Sequence, residues 1–108
     1  MFATRRLFQP FATRVTLFTR PGCGLCDQGK ANLSQVWDRR PFAYAEENVD
    51  AQGSKWRDLY DFDVPVIHIS RSEAPPEDVS TASKAIKLMH RFTPAEVEAK
   101  MDVAEQKI

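Results

Sequence analysis

Two cysteines, Cys23 and Cys26, are the residues of this 108-residue chain whose type and spacing best suit chemistry. The chain holds no others, and Gly24 and Leu25 separate them. Two thiols at this spacing can exchange a disulfide or supply part of a metal site. A disulfide-stabilised secreted domain of this size would carry about four or more cysteines. The pair therefore indicates redox chemistry or half of a tetrahedral metal shell.

The cysteine pair is predicted at the start of a helix. Residues 14–19 are β-branched and aromatic, which predicts a buried strand, and Pro21-Gly22 ends it. Apolar residues then recur at helical spacing, so residues 24–39 predict a helix that Pro41 stops. Cys23 thus precedes the helix, where unpaired backbone N–H groups and the positive dipole end stabilise a thiolate.

The two thiols are predicted to differ in exposure and in role. Cys26 lies one helical turn after Cys23, near enough to form a disulfide but deeper in the domain. Arg20 adds a nearby positive charge, which favours a thiolate. Cys23 is therefore predicted to attack a disulfide, and Cys26 to resolve the mixed disulfide that results.

A metal site is the alternative use of the pair, and it would need further ligands. Two thiolates fill only half of a tetrahedral shell. His68 and His90 fall inside predicted strands, where histidine is more often an ordinary core or surface residue. A metal would therefore need a second protomer or an outside ligand such as glutathione, and we predict no metal ligands within one chain.

The middle of the chain continues with strand and helix patterns. Residues 42–49 predict a weaker strand, and residues 54–60 a short helix with Ser54 as its N-cap. Residues 64–69 predict the clearest strand after the first, and residues 71–83 a loop with two adjacent prolines.

The end of the chain completes an α/β fold. Residues 85–92 predict a fourth strand, and Thr93-Pro94-Ala95-Glu96 opens a last helix with a capping box. The order is β-α-β-α-β-β-α. The βαβ crossovers predict parallel neighbouring strands, and the helix-free connection of the last two strands predicts an antiparallel pair. A mixed four-stranded sheet flanked by helices is the expected architecture.

One proline stands out, because Val64-Pro65 lies within an apolar strand pattern. Proline cannot donate to a strand ladder, so a strand start or an edge strand is its ordinary explanation. An X–Pro bond taken alone is cis in only about 5–6% of cases in folded proteins.

The segment Thr19-Arg20-Pro21-Gly22-Cys23-Gly24-Leu25-Cys26 resembles the active-site segment of the glutaredoxins, within the thioredoxin superfamily. Asp63-Val64-Pro65 is similar to the cis-proline segment of those proteins. The resemblance covers roughly residues 14–106 and implies the thioredoxin fold. More narrowly, the chain resembles small fungal and animal glutaredoxin-like proteins with a Cys-Gly-x-Cys centre.

The resemblance implies a role for each matching residue. It makes Cys23 the nucleophile and Cys26 the resolving thiol, joined as a redox disulfide in the oxidised state. It makes Pro65 a cis-proline facing Cys23, with the Val64 backbone available to a bound thiol peptide. Arg20 takes the place of the lysine that helps glutaredoxins bind the glutathione carboxylate.

Three departures from the glutaredoxin pattern concern glutathione binding. Gly24-Leu25 replaces the usual Pro-Tyr between the cysteines, and Asp63 replaces the threonine before Val-Pro. The Gly-Gly-Asp that grips glutathione is absent, and Arg91-Phe92-Thr93-Pro94 stands there instead. The Asp63 carboxylate is expected to modulate the site, by disfavouring the Cys23 thiolate or by discouraging an anionic tripeptide.

Charge and composition narrow the remaining possibilities. Lys+Arg and Asp+Glu both number 15, which argues against a nucleic-acid binder, and no apolar run suits a membrane span. Residues 1–26 lack any acid and carry four arginines, Arg5, Arg6, Arg14 and Arg20. Residues 1–13 therefore predict a mitochondrial presequence, or otherwise a basic tail on a cytoplasmic protein, ahead of a domain over residues 14–108.

Three functions compete at this point. The first is a thiol–disulfide oxidoreductase that reduces protein or glutathione mixed disulfides. The second is a module that binds an iron–sulfur cluster or another metal, and the third is a redox-responsive subunit of low activity. We expect no tightly bound cofactor, glutathione as a possible co-substrate, disulfide-containing proteins as partners, and a monomer.

Overall fold

Strands and helices alternate along residues 11–106, the part of the chain that the computed structural model describes. The elements in chain order are β1 (Thr13–Thr19), α1 (Gly24–Arg39), β2 (Ala43–Asn48), α2 (Arg57–Tyr60), β3 (Val66–Arg71), a 3-10 helix (Val79–Lys84), β4 (Ile86–Met89) and α3 (Pro94–Gln106). The predicted order is confirmed, with the 3-10 helix added in a segment predicted as loop. Most of the predicted presequence, residues 1–10, lies outside the described residues.

The four strands form one mixed sheet, as predicted, and their order across the sheet is β2-β1-β3-β4. β1 pairs with β2 in parallel, and β3 pairs antiparallel with both β1 and β4. Thr19 lies opposite Asn48, and Phe18 lies opposite Val66. One end of the sheet therefore holds the last residues of β1 and β2 and the first residues of β3. This end, which lies across the strand direction, is called here the active edge.

The prediction that the α2 connection joins two parallel strands is wrong. β3 runs antiparallel to β1 and therefore also to β2, which is parallel to β1. The helix between β2 and β3 is α2, which has only four residues and spans about 6 Å. The seven residues of β1 extend about 23 Å, so α2 is too short to carry the chain back along the sheet. The chain instead re-enters the sheet at the edge where β2 ends.

Alternation along β1 supplies both faces of the sheet with core residues. Val15 and Leu17 are fully buried in the cluster that includes α1 and α3 residues. Phe18 belongs to a second cluster with Trp56 and Tyr60, on the side of α2. Its ring centroid lies 4.4 Å from that of Trp56 and 5.2 Å from that of Tyr60.

The helix starts agree with the sequence at α3 but not at α2. The Thr93 N–H donates to Glu96 Oε1 at 2.9 Å, and the Glu96 N–H donates to Thr93 Oγ1 at 3.2 Å, which confirms the capping box. The N-cap of α2 is Trp56 and not Ser54. Ser54 Oγ accepts from the Trp56 N–H at 3.2 Å and so stabilises the turn that precedes the helix.

The 3-10 helix corrects the prediction of a structureless loop. Asp78 is its N-cap, and one Asp78 carboxylate oxygen accepts from the Ser80 N–H at 3.0 Å. Ala82 is buried in the second core cluster. A six-residue 3-10 helix that begins at an aspartate N-cap is too short to show apolar periodicity, so the pattern could not reveal it.

A chain of polar side chains is buried on the α2 side of the sheet. His68 is 1% exposed, with Nε2 at 2.6 Å from the Tyr60 hydroxyl and Nδ1 at 2.8 Å from Glu77 Oε1. Glu77 Oε2 accepts from Arg14 Nη2 at 2.7 Å. Burial, and then the charges of Glu77 and Asp63, raise the pKa of Tyr60. The Tyr60 hydroxyl therefore stays protonated and shares a hydrogen bond with His68 Nε2, while the Glu77 carboxylate accepts from His68 Nδ1.

Replacing Glu77 by glutamine is expected to lower the free energy of unfolding at neutral pH by about 1–3 kcal/mol. Burial alone would raise the pKa of Glu77, but the hydrogen bonds and charges of His68 and Arg14 hold it below 4.5. The stabilisation is fully present above pH 4.5 and is lost as pH falls through the lower pKa of the folded state.

Urea unfolding at about pH 7 and about pH 3 measures this effect as the difference in free energy of unfolding between the wild type and Glu77→Gln. The difference should shrink at the lower pH. Glu47→Gln, an exposed change on β2, is the matched control and should differ little from wild type at either pH. A wild-type advantage over Glu77→Gln that stays constant with pH would contradict the assignment.

Candidate active site

Cys23 is the N-cap residue of α1 and lies at the active edge. Its backbone is extended, at φ −98 and ψ 110, and its Sγ lies 3.1 Å from the Cys26 N–H, which donates to it. Gly22, just before it, has φ +75, a conformation that glycine adopts without strain. The helix N-terminus thus directs an N–H group at the Cys23 sulfur, where it favours negative charge.

Cys23 and Cys26 form a disulfide, and their Cα atoms are 5.2 Å apart. Cys26 is 1% exposed and lies within the core, whereas Cys23 is half-buried. An external thiol or disulfide can therefore reach the Cys23 sulfur, while Cys26 is shielded. This difference in access gives one outer and one inner thiol in the reduced state.

Pro65 lies at the same edge of the sheet. The pairing of Phe18 with Val66 places Pro65 beside the end of β1, and the Val64–Pro65 peptide bond is cis. Pro65 is buried, and its carbonyl accepts from the His90 N–H at 2.7 Å. Within residues 11–106 no hydrogen bond engages the backbone of half-buried Val64, so its N–H and C=O are available to an extended peptide.

Arg20 is placed against carboxylates of its own chain. Its Nη2 lies 2.6 Å from Asp61 Oδ1 and 3.3 Å from Asp50 Oδ1. The Arg20–Asp61 ion pair links the segment before Pro65 to the end of β1. The Arg20 side chain is 27% exposed, and the two carboxylates neutralise its charge at the place where a substrate carboxylate was predicted to bind.

Asp63 faces His90 across the active edge. Asp63 Oδ1 lies 3.4 Å from His90 Nε2, and both side chains are about half exposed. The expectation that His90 lies inside a strand is wrong, because β4 ends at Met89 and His90 has φ 65. This left-handed conformation ends the strand and turns the chain toward α3.

The sequence interpretation missed Phe62, which is 91% exposed and lies between Asp61 and Asp63. Leu59, three residues earlier, is 41% exposed. The signal was present, since Asp-Phe-Asp stands immediately before Val64-Pro65. Its exposure could not be predicted, because phenylalanine is more often buried than exposed.

The described residues contain no group of three or more His, Cys, Asp or Glu side chains placed to hold a metal ion. The cysteine pair alone offers two ligands, so a metal or cluster would need ligands from a second chain or from a thiol. In the same part of the chain no helix is long and apolar enough to cross a membrane.

Comparison with known proteins gives one family and several solved structures of similar fold. Residues 14–102 match the family model described as "Glutaredoxin-like domain (DUF836)". A solved structure of protein XcR50 from X. campestris is 24% identical, with a TM-score of 0.59, and the match covers 83% of this chain and 97% of that chain.

Two further solved structures are similar. Protein Ne2328 from Nitrosomonas europaea is 20% identical with a TM-score of 0.60, over 84% of this chain and 93% of that one. Thioredoxin-2, described as a component of the malaria parasite protein secretion machinery, is 12% identical with a TM-score of 0.61, over 85% and 82%. At these identities the similarities show the fold, which is of the thioredoxin type.

Proposed function

The chain belongs to the glutaredoxin-like domain family, and from this we propose that it is a thiol–disulfide oxidoreductase that reduces protein or glutathione mixed disulfides. One observation carries the proposal. Cys23 is half-buried at a helix N-terminus, and its sulfur accepts from the N–H of Cys26, which is 1% exposed and to which that sulfur is bonded. An accessible thiol beside a shielded one is the arrangement that two-step disulfide exchange requires.

The reaction starts from the dithiol form. The Cys23 thiolate attacks one sulfur of the substrate disulfide, that S–S bond breaks, and the leaving thiolate takes a proton from water. The Cys26 thiolate then attacks Cys23 Sγ in the mixed disulfide and releases the second substrate thiol. Two electrons pass from the protein to the substrate, and the protein is left as the Cys23–Cys26 disulfide. A thiol reductant must restore the dithiol.

Val64 and Pro65 are proposed to bind the substrate. The available N–H and C=O of Val64 can pair with an extended segment that carries the disulfide, in the manner of an added strand. Pro65 is buried, and its own carbonyl accepts from the His90 N–H. Pro65 is thereby proposed to position the bound substrate segment at the active edge.

Reduction of a disulfide-bonded protein and of a glutathionylated peptide by the wild-type chain tests the proposal. Each substrate is offered with dithiothreitol and, separately, with glutathione as the sole reductant. Turnover with either reductant supports an oxidoreductase, and turnover with glutathione supports the glutathione-linked form. Failure of both substrates with both reductants would contradict the proposal and favour a cluster-binding module or a redox-responsive subunit.

We propose glutathione as a co-substrate and no tightly bound cofactor. The Asp63→Thr variant is then expected to lower the KM for glutathione by about 2- to 5-fold, because it removes a half-exposed carboxylate near an anionic tripeptide. Steady-state kinetics at low salt measure the change. Asp58→Asn, an exposed change on α2, is the control. An unaltered KM for Asp63→Thr would mean that the Asp63 carboxylate does not face the bound tripeptide.

Mitochondrial import is a further proposal, supported by the arginine-rich, acid-free composition of the first 26 residues. Imaging a fluorescent fusion with and without residues 1–13 tests it. Loss of mitochondrial signal on deletion is the expected result, and diffuse signal from both fusions would contradict it.

A further inference from the structure

We infer that residues 61–63, called here the Asp-Phe-Asp rim, are a docking surface for basic polypeptides. The inferred substrate segment carries an apolar side chain beside a lysine or arginine. This inference rests on the proposed function and names its substrate class: a polypeptide disulfide with basic flanks, in preference to an anionic small thiol.

The exposure of Phe62 is the first observation. At 91% exposed, it presents nearly its whole ring to solvent, whereas Phe18, Phe42 and Phe92 are each at most 4% exposed. Leu59 adds a second apolar side chain, 41% exposed, on the preceding helix. An exposed aromatic residue on a rim of polar residues is typical of the anchor of a protein interface.

The position of the rim is the second observation. Asp61 is fastened to Arg20 at 2.6 Å, and Arg20 lies on the turn that leads to Cys23. Phe62 precedes the cis Val64–Pro65 bond, and Val66, which follows that bond, pairs with Phe18 at the end of β1. A polypeptide paired with the Val64 backbone therefore passes along the rim as its disulfide approaches Cys23.

The charge of the rim is the third observation. Asp50 and Asp61 share the single guanidinium of Arg20, so these three groups carry a net negative charge. Asp63 adds a third carboxylate, and its nearest partner is His90 at 3.4 Å. Exposed Arg57 and Asp58 on α2 and exposed Arg91 belong to the same region, in which four carboxylates therefore outnumber three arginines.

These features determine which kind of polypeptide the Asp-Phe-Asp rim binds. A lysine or arginine of the substrate is attracted to Asp61 and Asp63, and its cation can also lie over the face of Phe62. An apolar neighbour in the substrate covers the Phe62 ring and removes it from water. Glutathione is an anion without a large apolar side chain, so it gains neither contact.

Peptide binding to the oxidised protein tests the surface apart from the chemistry. Two labelled, cysteine-free peptides of equal length are titrated by fluorescence anisotropy, one with Leu-Lys repeats and one with Ser-Glu repeats. We expect the basic peptide to bind at least about five-fold more tightly, with the preference falling at high salt. Phe62→Ser and Asp63→Asn should each reduce the preference by about three-fold or more, and Glu47→Gln should retain it.

The same two peptide sequences, each now carrying a disulfide, are then offered as substrates. Their reduction tests whether binding at the rim affects turnover. The ratio of kcat/KM for basic over acidic peptide should follow the binding preference and fall in Phe62→Ser. Equal binding of both peptides, or a preference that survives both rim variants, would overturn the inference. If basic peptides bind as expected while neither these peptides nor 2-hydroxyethyl disulfide is reduced, the proposed function fails and the docking surface stands.

Discussion

Replacing Cys23 by serine is expected to abolish disulfide exchange, lowering kcat/KM by about 10⁴-fold or more for every disulfide substrate. Cys23 provides the accessible sulfur at the helix N-terminus, and shielded Cys26, 1% exposed, cannot reach an external disulfide in its place. A serine hydroxyl stays protonated at neutral pH and does not attack a disulfide. Reduction of a protein disulfide with dithiothreitol as reductant measures the loss.

The matched variant, Cys26→Ser, separates attack from resolution. It retains the attacking thiol and should accumulate a mixed disulfide with the substrate, visible as a mass increase in non-reducing mass spectrometry. With glutathione as the sole reductant, turnover of a glutathionylated peptide by Cys26→Ser would indicate a one-thiol route. Residual exchange in Cys23→Ser together with inactive Cys26→Ser would reverse the assignment of the two thiols.

Replacing Phe18 by alanine is expected to lower the free energy of unfolding by about 3–5 kcal/mol. Phe18 is fully buried, and its ring lies 4.4 Å from that of Trp56 and 4.7 Å from that of His68 between centroids. The cavity left by alanine would lie under the segment that holds Val64, since Phe18 belongs to the second core cluster and Val64 packs against that cluster. Loss of activity should therefore accompany loss of stability.

Urea unfolding measures this change, and Phe62→Ala serves as the control. It deletes the same ring at a site that is 91% exposed, so its free energy of unfolding should stay within about 0.5 kcal/mol of wild type. Equal destabilisation by the two variants would mean that Phe62 is covered in the folded protein. A Phe18→Ala effect below about 1 kcal/mol would mean that the second cluster repacks around the lost ring.

The parts of the fold that depend on near neighbours could be predicted from the sequence. α1 spans Gly24–Arg39, as its apolar stripe and Pro41 indicated, and the buried residues of that stripe include Leu33 and Val36. The capping box at Thr93 also formed. In each case the signal and the structure lie within a few turns of one another, so periodicity and capping chemistry suffice.

The remaining features depend on distant pairings that no local pattern contains. The direction of β3 is set by its pairing with β1, about fifty residues earlier in the chain. Arg20 finds its carboxylate partner at Asp61, and Glu77 finds His68 and Arg14 across the sheet. The sequence shows which kinds of group a charged residue can bind, but it does not show which residue lies beside it in the folded chain.

The order of the strands has a consequence for synthesis on the ribosome. β1 is made first, yet it lies inside the sheet between β2 and β3. A nascent chain that has emerged only to about residue 60 can pair β1 with β2, but the other edge of β1 stays open. That edge is a row of unpaired N–H and C=O groups flanked by apolar side chains, the arrangement that invites pairing between chains. The vulnerable period ends only when β3 emerges and occupies that edge, so slow elongation over residues 49–71 is expected to increase aggregation of the nascent chain.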